Sequence, residues 1–299
     1  MSARAAWEMT KETFSEWVDD KASRLAAALA YYTLFSLAPL LIIAIGIAGL
    51  VFGEEAARGQ VMVQLAGLIG EKGAAFLQEL LAASRGKGHG IAATVIGLAV
   101  LLFGAAGVFG QLQDALNTIW EVKARPGRGW RGVLRDRFLS FAMVLGTGFL
   151  LLVSLTLTAV FAAIGEYLSG ILPVPAAALE AVNLGVSFCL TSFLFALIFK
   201  MVPDARIAWR DVWIGAALTA LLFSLGKFGI GLYLGKSTVA STFGAAASPV
   251  VLMVWIYYSA QILFLGAEFT QVYARRHGSQ IRPSKNAVLV TERLGEEDG

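Results

Sequence analysis

Apolar residues dominate six stretches of the chain, near residues 31–52, 91–109, 138–164, 181–201, 212–232 and 247–272, with polar loops between them. A helical membrane crossing takes about 20 predominantly apolar residues. Each stretch is long enough, and the pattern predicts an all-α polytopic membrane protein with six transmembrane helices. Between the first two stretches the period shortens. Val61, Leu65, Leu68 and Ile69, then Phe76, Leu77, Leu80 and Leu81, alternate with polar residues at helical spacing, which predicts two short amphipathic helices separated by Gly70 and Gly73. Trp7, Phe14 and Trp17 recur at i, i+7 and i+10, so residues 1–20 are expected to form an interfacial helix. Pro39 removes a backbone donor inside the first span and predicts a kink there. After Tyr273 the chain turns charged. Residues 21–273 are therefore expected to form one membrane domain, and 274–299 a mostly disordered tail.

Composition agrees with this pattern: 57% of residues are hydrophobic, only 15% are charged, and the mean hydropathy is +0.70. Charge adds orientation. Four basic residues precede span one, six lie between spans two and three, three fall at the inner end of span four (Lys200) and in the loop to span five (Arg206, Arg210), and five follow span six. The alternate loops carry four, none and one, and Lys227 lies within span five. By the positive-inside rule both termini are expected in the cytoplasm, and the paired helices after span one on the other side. Orientation and anionic headgroups account for Arg125, Arg128, Arg131, Arg135 and Arg137. Membrane lipids are thus the expected partners, with no nucleic acid. No cleavable leader is legible at the N-terminus. Cys189 is the single cysteine and falls in span four, where it reads as a small core residue.

Candidate chemistry rests on ionisable residues at membrane depth, which cost about 2.5–3.5 kcal/mol to insert and face a protein interior or water. Lys227 lies roughly 25 Å along its helix from Arg210, and Glu268 roughly 9 Å from the inner end of span six. No direct salt bridge between them is expected. Lys227 either snorkels to outer headgroups or faces an outward polar cavity suited to an anionic group. On span six Tyr257, Gln261 and Glu268 share one face, while Trp255, Ser259, Gly266 and Thr270 share the opposite one. Polar residues on such a face serve either as interhelical hydrogen bonds or as a substrate path. On span two Gly104, Gly107, Gln111, Asp114 and Thr118 line up likewise. A cytoplasmic-side cluster of Arg24, Gln111, Asp114, Asn117 and Glu268 is expected, with Tyr31 on the face of Arg24 and with Arg24 neutralising a carboxylate. Gly215, Thr219, Gly226 and Gly229 form a close-packing stripe on span five.

Three strings carry a resemblance: AAALAYYTLFSLAP from Ala26 to Pro39, FGAAGVFGQLQDALNTIW from Phe103 to Trp120, and WIYYSAQILFLGAEFTQVY from Trp255 to Tyr273. A fourth, GAALTALLFSLGKFGIGLYL, runs from Gly215 to Leu234. Together they resemble the YihY/virulence factor BrkB family of bacterial inner-membrane proteins, over most of Asp19 to Tyr273. The resemblance implies six spans, a bacterial plasma membrane and a link to envelope integrity or virulence; some members are linked to movement of lipids or envelope precursors. It supplies no catalytic or ligand-binding residues. A ribonuclease label once attached to the family finds no support in these residues. Metal-dependent hydrolysis needs converging carboxylates or histidines, and His89 and His277 are expected on opposite membrane faces. No metal, cofactor or catalytic residue is expected. The reading at this point is a membrane protein, not an enzyme, that binds and moves a lipid or other anionic amphipathic envelope component. The alternative is a non-transporting scaffold for envelope integrity.

Overall fold

The computed structural model describes residues 3–85, 107–124, 176–236, 247–279, 281–284 and 287–290. Helix α1 spans Ala3–Asp19, α2 spans Ala22–Phe52 and α3 spans Glu54–Arg85. A further helix, α4, covers 107–119 within the described residues, and strand β1 (Val122–Ala124) follows it. Then come α5 (Ala176–Met201), β2 (Ala205–Arg206), α6 (Trp209–Lys236) and α7 (Ala247–His277), and finally β3 (Arg282–Pro283) and β4 (Ala287–Leu289).

Three helices are long and apolar enough to cross a membrane, over Leu184–Met201, Trp209–Gly229 and Pro249–His277. A fourth crossing is obtained if Ala22–Leu37 and Leu40–Gly46, which meet at 53°, count as one broken span. The bend sits at Pro39, as the lost donor predicts. Most of the second stretch and all of the third lie outside the described residues, as does His89.

At Gly53 the backbone turns with φ 81°, a conformation in which a side chain is strained, and Glu54 and Glu55 open α3 where its dipole favours acids. Gly70, at φ 79°, breaks α3 into two helical pieces where the glycine pair predicts a break. The second piece is packed and not free in solvent: Leu77 and Leu81 are buried with Ala30, Leu41, Ile45, Leu252 and Ile256.

The main core lies toward the other end of the bundle. Ala22, Ala26 and Leu29 of α2 meet Leu112, Ala115 and Leu116 of α4, Phe199 of α5, Ala216 and Ala220 of α6, and Phe264 and Ala267 of α7. Trp120 closes it, edge-on to Phe199 at 6.3 Å. Alanines let the backbones approach, and the aromatic rings fill the space between. Cys189 departs from its expected core role: it is exposed on α5.

Helices α6 and α7 run antiparallel and interlock through a reciprocal pair of contacts. A Cβ on Gly215 would lie 2.7 Å from Thr270 Cβ, and one on Gly266 would lie 2.8 Å from Thr219 Cβ. Each threonine hydroxyl donates back to the glycine carbonyl of its own helix, at 2.7 Å (Thr219 to Gly215) and 2.6 Å (Thr270 to Gly266), so no polar group is stranded. Gly226 extends the stripe against Tyr258 and Ile262, whereas Gly229 meets open space.

The tail departs from expectation over residues 281–290. Strand β4 pairs antiparallel with β1, and β3 with β2. The cause is local hydrogen bonding that the charge-rich composition hides. Ser279 donates its N–H and its hydroxyl to buried Asp211 at 2.8 and 2.9 Å, Ser284 N–H donates to Asp204 O, and Val290 N–H to Glu121 O. Asp204 is itself held by Asn117, whose Nδ2 donates to it at 3.2 Å and whose Oδ1 accepts its N–H at 2.7 Å.

Candidate functional site: a buried polar stripe and the groove beside it

The polar face of α7 is longer than Tyr257, Gln261 and Glu268. Gln271 and Arg275 continue it, since steps of 14 and 18 residues return to nearly the same angle on a 3.6-residue helix. Glu268 is fully buried, and neither carboxylate oxygen has a hydrogen-bond partner among the described residues. The charges of Asp20, Glu16, Glu121 and Arg275 act on it. Arg275 holds this junction together, donating to Glu12 at 2.5 Å and Glu16 at 2.6 Å, with Glu121 at 3.7 Å. Arg276 pairs with Glu8 and Glu12, so α1 is strapped along the last turns of α7. Gln271 Nε2 donates to Glu121 at 3.4 Å, and its own Oε1 has no partner among the described residues. The indole N–H groups of Trp17 and Trp120 are also buried, with no acceptor among the described residues. Buried polar atoms are paired in the great majority of cases, so this concentration sets the junction apart from ordinary packing.

Of the expected cluster, the structure places only Glu268 at this junction. Arg24 and Asp114 are exposed, Gln111 is half-buried, and Asn117 is engaged with Asp204. Arg24 points away from the core because Ala22 and Ala26 occupy the buried face of that turn. Tyr31 is 53% exposed, in contact with Tyr32 and Phe35 on the outer face of α2. The cation comes from α7 itself. The signal was present, because Arg275 lies seven residues beyond Glu268 on one stripe.

Asp20 sits in the turn between α1 and α2, where Lys21 adopts φ 54°. Burial, then Glu16, Glu121 and Asp19, push its carboxyl up from 3.8 to about 6. A carboxyl raised in the folded state favours folding when protonated, so this contribution is complete below about pH 4 and is lost as pH rises through 6. Because Asp20 is only half-buried, screening reduces the effect to about 1 kcal/mol. Asp20→Asn is expected to raise thermal stability at pH 7.5 and to flatten the gain that the wild type shows between pH 7.5 and 5.5. Parallel pH–melting curves for the two proteins would refute this.

Beside the stripe runs an open groove of about 450 Å³, lined by Phe14 and Trp17 of α1, Leu222, Leu225 and Gly226 of α6, and Tyr258, Gln261, Ile262 and Leu265 of α7. Its volume falls within the usual range for small-ligand sites, roughly 300–1,000 Å³. The walls are apolar. The floor carries Gln261, whose Oε1 is buried and has no partner among the described residues. Lys227 adjoins Gly226 but is exposed on the outside of α6, and Tyr257 is half-buried between the two cores. The structure thus brings Gln261 to the groove and Glu268 to the α1 junction, and leaves Lys227 on the surface. Among the described residues no group of three or more His, Cys, Asp or Glu side chains is arranged to hold a metal.

Long apolar helices with exposed Leu221, Leu225 and Phe228 on their outer faces, locked by small residues within, define an α-helical membrane protein. The chain belongs to the virulence factor BrkB family, whose description matches residues 13–289. It is 29% identical to a UPF0761 membrane protein of Verminephrobacter eiseniae, over 90% of this chain and 63% of that one. Identity is 30% to a counterpart in Chromohalobacter salexigens (87% and 61%) and 28% to one in Pseudoalteromonas translucida (85% and 81%). The chain spans less than two thirds of the length of the first two relatives. No solved structure matches.

Proposed function

We propose that this protein sits in a bacterial inner membrane with six spans and both termini in the cytoplasm, and that it binds and moves, or helps move, a lipid or other anionic amphipathic envelope component. The groove floored by Gln261 carries this reading. It opens among exposed apolar side chains, so an acyl chain enters it laterally without crossing water. Gln261 offers one polar contact at a depth where an unsatisfied group is costly. Alternate-loop basic residues support the orientation.

A scaffold that organises envelope proteins is the second reading, favoured by the tight interlock of α6 and α7, which resists relative motion. The two are separated by Leu222→Trp, which fills the groove from its half-buried wall. Native mass spectrometry of the wild type in mild detergent should show a retained amphipathic species that the folded variant has lost. Equal lipid retention by both would remove the groove from function and leave the scaffold.

A further inference from the structure

The loop between α5 and α6 presents an arrangement that folding alone does not favour. In the β2–β3 pair Arg206 stands directly opposite Arg282, and both are exposed. Residues directly opposed on one face of an antiparallel pair have Cβ atoms about 4.5–5.5 Å apart, and like charges so placed repel. Neither arginine has an ion-pair partner among the described residues, and Arg210 adds a third exposed guanidinium in the first turn of α6. The positive-inside rule accounts for basic residues in this loop. It does not account for stapling two of them face to face.

The position is also particular. The loop joins the ends of two apolar spans, at Met201 and Trp209, so it lies at the membrane boundary. Trp209 and Trp213 are 45% and 41% exposed there, where amphipathic rings settle at headgroup level. Lys200 does not share the charge. It turns inward, donates to Ile207 O and lies 5.6 Å over the Trp209 ring, which fixes the loop that carries Arg206. Asn117 and Ser284 hold the neighbouring Asp204, so the arginine pair is displayed on a braced platform.

From this the geometry points to an anionic phospholipid site, with Arg206 and Arg282 converging on one headgroup phosphate and Trp209 beside its glycerol region. Guanidinium forks match phosphate oxygens in pairs, and a bound phosphate turns the repulsion between the arginines into a bridge. The site depends on the chain's place in a membrane and not on the groove, so Leu222→Trp must leave it intact.

The test is a titration of the purified full-length chain with short-chain phosphatidylglycerol, with phosphatidylcholine of the same chains, and with inorganic phosphate, read by tryptophan fluorescence and melting temperature. Phosphatidylglycerol should bind tightest, inorganic phosphate far more weakly. At about a factor of five per arginine near a charged surface, Arg206→Gln and Arg282→Gln should each weaken it about fivefold and the double variant about thirtyfold. A merely structural pair predicts a less stable double variant. The lipid site predicts one that melts no lower without lipid and loses the lipid-induced rise. Equal binding of the two lipids, or unchanged binding by the double variant, overturns the proposal; phosphate binding as tightly as lipid overturns the lipid assignment.

Discussion

Gly215→Ala is expected to remove about 3 kcal/mol of stability, the high end for a single overpacking substitution, because the new methyl meets the hydroxyl, the Cβ and the methyl of Thr270, a short branched side chain with no far end to swing away. Thr270 is fully buried and its hydroxyl is tied to Gly266 O, so it has nowhere to turn. The decisive measurement is the double variant Gly215→Ala with Thr270→Gly, which should recover much of the loss in a thermal-unfolding cycle. A residual coupling near zero would mean that the two residues do not meet. Gly266→Ala should behave in the same way toward Thr219.

The second large effect is expected from Arg275→Leu. Removing one partner of a buried ion pair costs about 3–5 kcal/mol, and the 42% exposure of the Arg275 side chain reduces that to about 2 kcal/mol. Glu12, Glu16 and Glu121 would then repel one another around buried Glu268, and α1 should come away from α7. Limited proteolysis should report this as cleavage within Ala3–Asp19 that the wild type resists, and Glu16→Gln should restore part of the protection. Unchanged protection in Arg275→Leu would show that Arg275 is not what holds α1, leaving the Arg276 pairs with Glu8 and Glu12 and the packing of Phe14 and Trp17.

These sites show what the sequence made legible. The glycine stripe on α6 and the small-residue face of α7 were both readable, since helical periodicity places Gly215, Thr219, Gly226, Gly266 and Thr270 without tertiary knowledge. What it could not show is that the two stripes face each other in reciprocal register, which depends on the antiparallel crossing. The kink at Pro39 and the break at Gly70 followed from backbone chemistry alone. Glu268 was identifiable from its cost in a membrane, but its surroundings were not. Asp20 and Glu16 arrive through the fold-back of α1, and Glu121 through the end of α4. Choosing Arg24 followed sequence depth, whereas the alanine face of α2 decides which way that arginine points. Asp204 and Asp211 looked like ordinary loop acids, and only the return of the tail gives them their partners.

That return bears on synthesis. The strand that completes β1 emerges only after α7 has been made, and Asp211 waits equally long for Ser279. Until then the nascent bundle has unpaired strand edges and a buried acid without its donors, even with all the preceding helices inserted. A chain cut before Ala287 leaves the β1 edge open, so residues made after every described helix decide whether the end of α4 is closed by a partner strand.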